Sequence, residues 1–342
     1  MTKKPVFVTG GTGLLGSHLI FSLISKGHKV RAMHRKQSNR DIIVKVAGYY
    51  GGIHEEALSL IEWIECDMGN YECLKNAIYG TGYVYHCAAA VSFASSDKDK
   101  LISNNVQGTK NVVSACLEAK VEKLCHVSST SALGASDGDF MVTEENEWDE
   151  NDYHSTYGIS KHLSEEEVWK GIEKGLCAVI ANPSIILGPG DWDRSSAALF
   201  SKIDRGMLFY TDGMTGYVDV NDVVKAMITL TESDIDSERF IINSENISYG
   251  ELFRMIVRKL GRREPVIKVG KTMKWLLSPL AGLAEKVPGN RIPLTKEMLN
   301  AAWSKVSFDN SKIIERIGIE FSPVEKSIES FAAIYKSEKK KE

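Results

Sequence analysis

Short apolar runs alternate with stretches of helical repeat through the first half of the chain. The runs Val6–Val8, Val30–Met33, Trp63–Cys66, Val84–Cys87, Leu124–Val127 and Ala178–Ala181 have the length of buried strands. Between them, Leu15, Leu19 and Leu23 share one helical row and Ile20 and Ile24 the next, and Val106–Ala119 and Ile159–Glu173 also read as helices. Strand alternating with helix predicts an α/β fold, a doubly wound parallel sheet with helices on both faces. Ligands of such sheets lie beyond the C-terminal strand ends, so chemistry is expected just after each run. Past Leu187 the pattern loosens. Gly188-Pro189-Gly190-Asp191 is a strong break, Tyr217–Val220 and Phe240–Asn243 read as short strands, and helical patterns dominate from Tyr249 onward.

The first run leads directly into Thr9-Gly10-Gly11-Thr12-Gly13-Leu14-Leu15-Gly16. Glycines at 10, 13 and 16 between a strand and a helix form a cradle for a dinucleotide pyrophosphate. Glycine permits the tight turn, its missing side chain lets phosphate reach the backbone, and the open helix N-terminus favours the anion. The sheet is therefore expected to be a Rossmann domain over residues 1–187, rejoined near 216–244. Residues 188–342 should form a smaller, mixed, mainly helical substrate domain. NAD-preferring sheets place an acid near the end of the second strand for the ribose 2′-hydroxyl. Here Val30-Arg31-Ala32-Met33-His34-Arg35-Lys36 has none, and Arg35 and Lys36 suit a 2′-phosphate. NADP(H) is expected over NAD(H).

Tyr157 and Lys161 stand one helical turn apart on one face. An ammonium beside a phenol is expected to pull the phenol down from about 10, so that it can exchange a proton with a carbonyl or alcohol oxygen. Tyr71/Lys75 and Tyr335/Lys339 share the spacing, but neither follows a strand that ends in hydroxyls. Tyr157 does: the fifth run ends Ser128-Ser129-Thr130-Ser131, where a hydroxyl can polarise a substrate oxygen.

These residues resemble those of extended short-chain dehydrogenases/reductases in the NAD-dependent epimerase/dehydratase superfamily. Gly10, Thr12, Gly13, Leu14, Leu15 and Gly16 fall on that family's T-G-x-x-G-x-x-G. Ser129, Tyr157 and Lys161 fall on its catalytic Ser/Thr, Tyr and Lys, with Ser128 and Thr130 open as alternatives to Ser129. The resemblance implies that Lys161 also binds the nicotinamide ribose and that Asp67 and Met68 lie by the adenine. It implies that Ala88, Ala89 and Ala90 pack on the nicotinamide ribose, and that Asn105 steadies a relay water. Asn182-Pro183-Ser184-Ile185-Ile186-Leu187-Gly188-Pro189 is similar to the segment of dihydroflavonol reductase-like and 3β-hydroxysteroid dehydrogenase-like members, which brings Pro183 and Ser184 to the cofactor. Thr130 and Ser131 stand where sugar 4,6-dehydratases carry an acidic pair. Ser92, Phe93, Trp192, Arg194, Tyr210 and Tyr217 are expected to face the substrate, and Asp219 and Asp222 to cap or brace loops.

Composition removes other classes. A net charge of −3 provides no general attraction to nucleic acid or anionic membrane. The eight histidines lack zinc spacing, so no metal is expected, and the six cysteines read as reduced residues of a cytoplasmic protein. No leader peptide is apparent, and the longest apolar window, Trp275–Ala284, is too short to span a bilayer. The charged tail from Lys336 is expected to fray. The helices Val106–Ala119 and Ile159–Glu173 are where family members pair as dimers. The expected activity is NADP(H)-dependent reduction of a carbonyl, or oxidation of an alcohol, in a small ring-shaped substrate. A redox-neutral sugar epimerase and a non-catalytic dinucleotide sensor are the alternatives, and an intact Tyr157 and Lys161 argue against the second.

Overall fold

The expected runs lie side by side. In chain order the strands are β1 (Val6–Thr9), β2 (Val30–His34), β3 (Ile61–Glu65), β4 (Tyr83–His86), β5 (Lys123–Val127), β6 (Met141–Val142), β7 (Ala178–Pro183) and β8 (Ile185–Leu187). They continue as β9 (Phe209–Tyr210), β10 (Met214–Asp219), β11 (Glu238–Ile242), β12 (Glu245–Ser248), β13 (Ile267–Lys268) and β14 (Ser307–Phe308). The helices are α1 (Leu14–Ser25), α2 (Ile42–Tyr49), α3 (Glu55–Leu58), α4 (Tyr71–Ile78), α5 (Lys98–Ala119) and α6 (Thr156–Glu173). They are followed by α7 (Ala198–Asp204), α8 (Val220–Glu232), α9 (Tyr249–Leu260), α10 (Lys296–Trp303), α11 (Ser311–Ile317) and α12 (Val324–Lys339). This computed structural model describes residues 4–91, 98–134, 141–152, 154–206, 209–264, 267–270 and 296–340. Ser92, Phe93 and the Trp275–Ala284 window lie outside them.

Seven strands form a parallel sheet in the order β11-β7-β5-β4-β1-β2-β3. Period-two alternation divides its side chains between two cores. Val6, Val8, Tyr85, Cys125 and Phe240 pack with α1 and α8 on one face. Phe7, Val84, Leu124 and Ile180 pack with α4, α5 and α6 on the other. Strand order reverses between β1 and β4, which opens a crevice at their C-terminal ends. This is the doubly wound Rossmann arrangement read from the sequence.

The chain rejoins this sheet through α8 and β11. Tyr217 instead lies in β10, the middle of a separate three-stranded sheet β12-β10-β8, and Val220 begins α8 because Asp219 caps that helix by accepting the Asn221 N–H at 2.8 Å. A second apolar core joins α7, α9 and α12 to this small sheet. The tail is more ordered than expected, since α12 runs to Lys339. Glu338 pairs with Lys45 at 3.2 Å and accepts the Trp192 indole N–H, while Lys339 pairs with Asp204. Opposite charges on neighbouring elements hold the last turns. The residues Asn104, Gln107 and Lys110 of α5 are exposed and polar, and Val106 and Leu117 are half-buried. No helix of the described residues is long and apolar enough to cross a membrane.

Candidate active site

The crevice is built first by glycine. Gly10 turns the chain at φ +69°, and a Cβ there would stand 2.8 Å from the Ala88 amide nitrogen beyond β4. Only glycine allows that approach in that conformation. The Gly13 N–H closes the turn on the Gly10 carbonyl at 2.9 Å. Helix α1 then starts at Leu14 with no side-chain cap and no acid in its first turn. The first-turn N–H groups, flanked by Thr12 and Gly16, are open to an anion. Thr9 Oγ1 accepts the Ala88 N–H at 3.0 Å and pairs with His86 Nδ1 at 2.8 Å, locking the two strand ends together. Leu15 and Gly16 are buried, and Leu14 packs beside Gly188 and Gly190. The open helix end and the Gly10–Ala88 approach fit a dinucleotide pyrophosphate.

Arg35 and Lys36 follow β2, are exposed, and make no side-chain hydrogen bond or ion pair among the described residues. Across β3, the Asp67 carboxylate accepts the Gly69 N–H at 2.9 Å, and the Met68 carbonyl accepts Asn111 Nδ2 at 2.9 Å. At this edge one expectation is corrected. Cys66 and Cys73, expected as separate core cysteines, stand side by side here, because the turn capped by Asn70 folds α4 back on the end of β3 and leaves their Cα atoms 6.0 Å apart. Cys87, Cys116, Cys125 and Cys177 are free.

The hydroxyl cluster and the Tyr–Lys helix meet at the end of β5. Ser155 caps α6 by accepting the Gly158 N–H at 3.0 Å. A Cβ at Gly158 would stand 2.7 Å from the Ser131 carbonyl oxygen, so glycine lets the first turn of α6 lie against the Ser129–Ser131 turn. The Ser129 hydroxyl is brought near the Tyr157 phenol as a result. Ser128 points elsewhere, donating to Glu165 Oε2 at 2.7 Å. Lys161 is buried, and its Nζ donates to the Val127 carbonyl at 2.8 Å.

The electrostatics differ from the expectation. Burial pushes the Tyr157 phenol up to about 12, and only the nearby Ser129 hydroxyl opposes it. Lys161 does not lower it; its ammonium is turned to Val127, and burial brings its own pKa down to about 8. The phenol is thus a proton donor through the neutral range.

Asn105 also differs. Its Nδ2 donates to the Ala90 carbonyl at 3.0 Å and to Ser160 Oγ at 3.1 Å, and its Oδ1 accepts the Ala90 N–H at 2.8 Å. With both amide hydrogens used, it braces the Ala88–Ala90 segment against α6. Pro183 is buried at the end of β7, and the Ser184 N–H donates to the Ile242 carbonyl at 3.1 Å.

The expected substrate residues scatter. Tyr217 is fully buried in the second core. Trp192 packs edge-on to Phe200 and Tyr335 and bonds Glu338. Tyr210 lies under Arg254, 5.6 Å from its guanidinium carbon, and Arg194 is exposed. Asp219 accepts Ser327 Oγ at 2.6 Å and Asp222 the Ser322 N–H at 2.7 Å, so both act as braces. The other Tyr–Lys pairs turn to carboxylates: Tyr71 and Lys75 to Glu118, Tyr335 and Lys339 to Asp204. Sequence reasoning missed Thr9, Gly158 and Glu165. For Glu165 a signal existed, since Tyr157, Lys161 and Glu165 form one i, i+4, i+8 row. No group of three His, Cys, Asp or Glu among the described residues could hold a metal ion.

Residues 6–243 match the model of the NAD dependent epimerase/dehydratase family. The chain belongs to this family. A Synechocystis sp. protein provisionally named dihydroflavonol 4-reductase is 26% identical, over 94% of this chain and 92% of its own. An anthocyanidin reductase of Vitis vinifera is 28% identical, over 78% of this chain and 83% of the relative. The crystal structure of gox2253 superposes with a TM-score of 0.82 at 27% identity, covering 98% of this chain and 99% of that one. The protein is therefore an extended short-chain dehydrogenase/reductase, an oxidoreductase of the epimerase/dehydratase family.

Proposed function

We propose that this family member is an NADP(H)-dependent reductase of a small, ring-shaped carbonyl compound, running in reverse as an alcohol dehydrogenase. The observation that carries it is the Ser129 hydroxyl set beside the Tyr157 phenol, with Lys161 one turn on, at the mouth of the glycine crevice. The bound dinucleotide supplies the hydride. Ser129 steadies the substrate oxygen, Tyr157 gives it a proton, and Lys161 holds the ribose hydroxyls. A phenol kept protonated by burial suits reduction. The reductase names of the relatives support the same direction. A redox-neutral epimerase uses the same groups. It would retain its dinucleotide through purification and consume no NADPH, whereas the reductase oxidises NADPH stoichiometrically with a cyclic ketone such as a dihydroflavonol.

NADPH preference rests on Arg35 and Lys36, the unpaired cations past β2. Changing both to Ser is expected to weaken NADPH binding about 30-fold and NADH binding less than about threefold. Nicotinamide fluorescence titrations read this directly, and equal losses for the two would reject the preference.

The reaction should also show an alkaline limit. Lys161 is cationic below about 8 and loses its proton above it. Reduction is expected to be level through neutral pH and to fall as the pH rises through about 8. An initial-rate profile that stays flat to about pH 10 would show that turnover does not need the Lys161 ammonium.

A further inference from the structure

Glu165 lies four residues past Lys161 on α6 and is only 2% exposed. Its Oε2 accepts Ser128 Oγ at 2.7 Å and Asn182 Nδ2 at 3.0 Å. The same Asn182 nitrogen donates to the Ser129 carbonyl at 3.1 Å. One carboxylate thus grips the strand end on both sides of the peptide that joins Ser128 to Ser129. Its Oε1 faces Arg239 Nη1 at 3.4 Å. Arg239 is itself held by its Nε on the Glu144 carbonyl at 2.9 Å and its Nη2 on the Asn146 carbonyl at 3.3 Å. A buried ion pair of this kind seldom offsets its own desolvation as a stabilising element, which leaves its position behind the site as the property to explain.

We propose that Glu165 is a positioning residue for this site: its buried carboxylate anchors the strand end that presents Ser129 to Tyr157 and supplies Lys161 with its counter-charge. The other titratable groups around Lys161 cannot fill that second part. Burial keeps the Cys87 thiol protonated, and keeps the His86 and His126 imidazoles on the neighbouring strands neutral. Tyr157 on the same helix is a neutral phenol through the working range. Glu165 is the carboxylate that supports the ammonium, against the burial that opposes it. The row Tyr157, Lys161, Glu165 places donor, cation and counter-charge in successive turns of α6.

This inference rests on the proposed Ser129–Tyr157–Lys161 site but is tested apart from it, in protein without dinucleotide. Lysine labelled with ¹³C at Cε reports the Lys161 titration by NMR, its resonance identified by its loss in Lys161→Arg. In Glu165→Gln, which keeps the size and the hydrogen-bonding reach, the Lys161 midpoint is expected to fall by about one pH unit. In Arg239→Gln, which strips the competing cation from Glu165, it is expected to rise. A purely structural role moves neither midpoint, or moves both the same way, and either result overturns the proposal. If Glu165→Gln does not fold, Arg239→Gln decides alone, and an unmoved midpoint rejects the counter-charge. Failure of the wild-type protein to bind any dinucleotide would instead strike the site assignment and leave these midpoints readable.

Discussion

Tyr157→Phe is expected to lower turnover about a thousandfold while dinucleotide affinity stays within about twofold. The asymmetry follows from the geometry. Phenylalanine keeps the ring that Tyr157 presents from the first turn of α6. What is lost is a single oxygen, the proton donor beside Ser129. No neighbour can replace it: Lys161 Nζ is engaged with the Val127 carbonyl, Ser128 with Glu165, and Asn105 with Ala90 and Ser160. In the proposed site the dinucleotide is held elsewhere, by the glycine turn, the open end of α1 and Lys161. Steady-state rates with NADPH and a cyclic ketone, set beside fluorescence binding curves, check both halves. Undiminished turnover in the Phe variant would end the assignment of Tyr157. Ser129→Ala should cost less, about a hundredfold, because it removes oxygen stabilisation but leaves the proton donor.

The second large effect is expected from Gly10→Ala, which should abolish dinucleotide binding and destabilise the protein by about 3 kcal/mol. Two causes add. The backbone is left-handed at φ +69°, and the new Cβ would press on the Ala88 amide nitrogen at 2.8 Å, a main-chain atom that cannot swing aside. Relief would require β1 and β4 to part where the pyrophosphate must sit. Gly27→Ala isolates the first cause, since Gly27 has φ +79° and nothing within 4 Å of its would-be Cβ. It should destabilise by only about 1 kcal/mol and leave binding intact. Denaturant unfolding and nicotinamide fluorescence of the two variants give the comparison. If Gly10→Ala proves no worse than Gly27→Ala, the close approach of the strand ends is not what the glycine serves.

The fold and much of the site are legible along the chain because their signals are short-range. Apolar runs of four to six residues at β1, β2, β4, β5 and β7 can only be buried strands once helices separate them. The glycine turn announces itself by spacing, and Tyr157 and Lys161 share a helix face by the helical repeat alone. Sequence and structure part where a side chain's environment is set from across the molecule. A neighbour four residues away argues for a lowered phenol, whereas burial from every direction raises it. Trp192 and Tyr217 lie in segments expected to face the cleft, but the apolar core formed with α12, more than a hundred residues on, takes them in.

What the amino-acid order settled by itself is therefore the repeating architecture, the glycine turn after β1 and the shared helix face of Tyr157 and Lys161 on α6, all governed by interactions within a few residues. Only the tertiary structure decided which of three adjacent hydroxyls stands by Tyr157, which carboxylate braces the strand end behind them, and which groups Asn105 ties together. Those choices depend on contacts between β5, β7, α5 and α6, and partners so distant in the chain are selected by packing and desolvation, which no local pattern encodes.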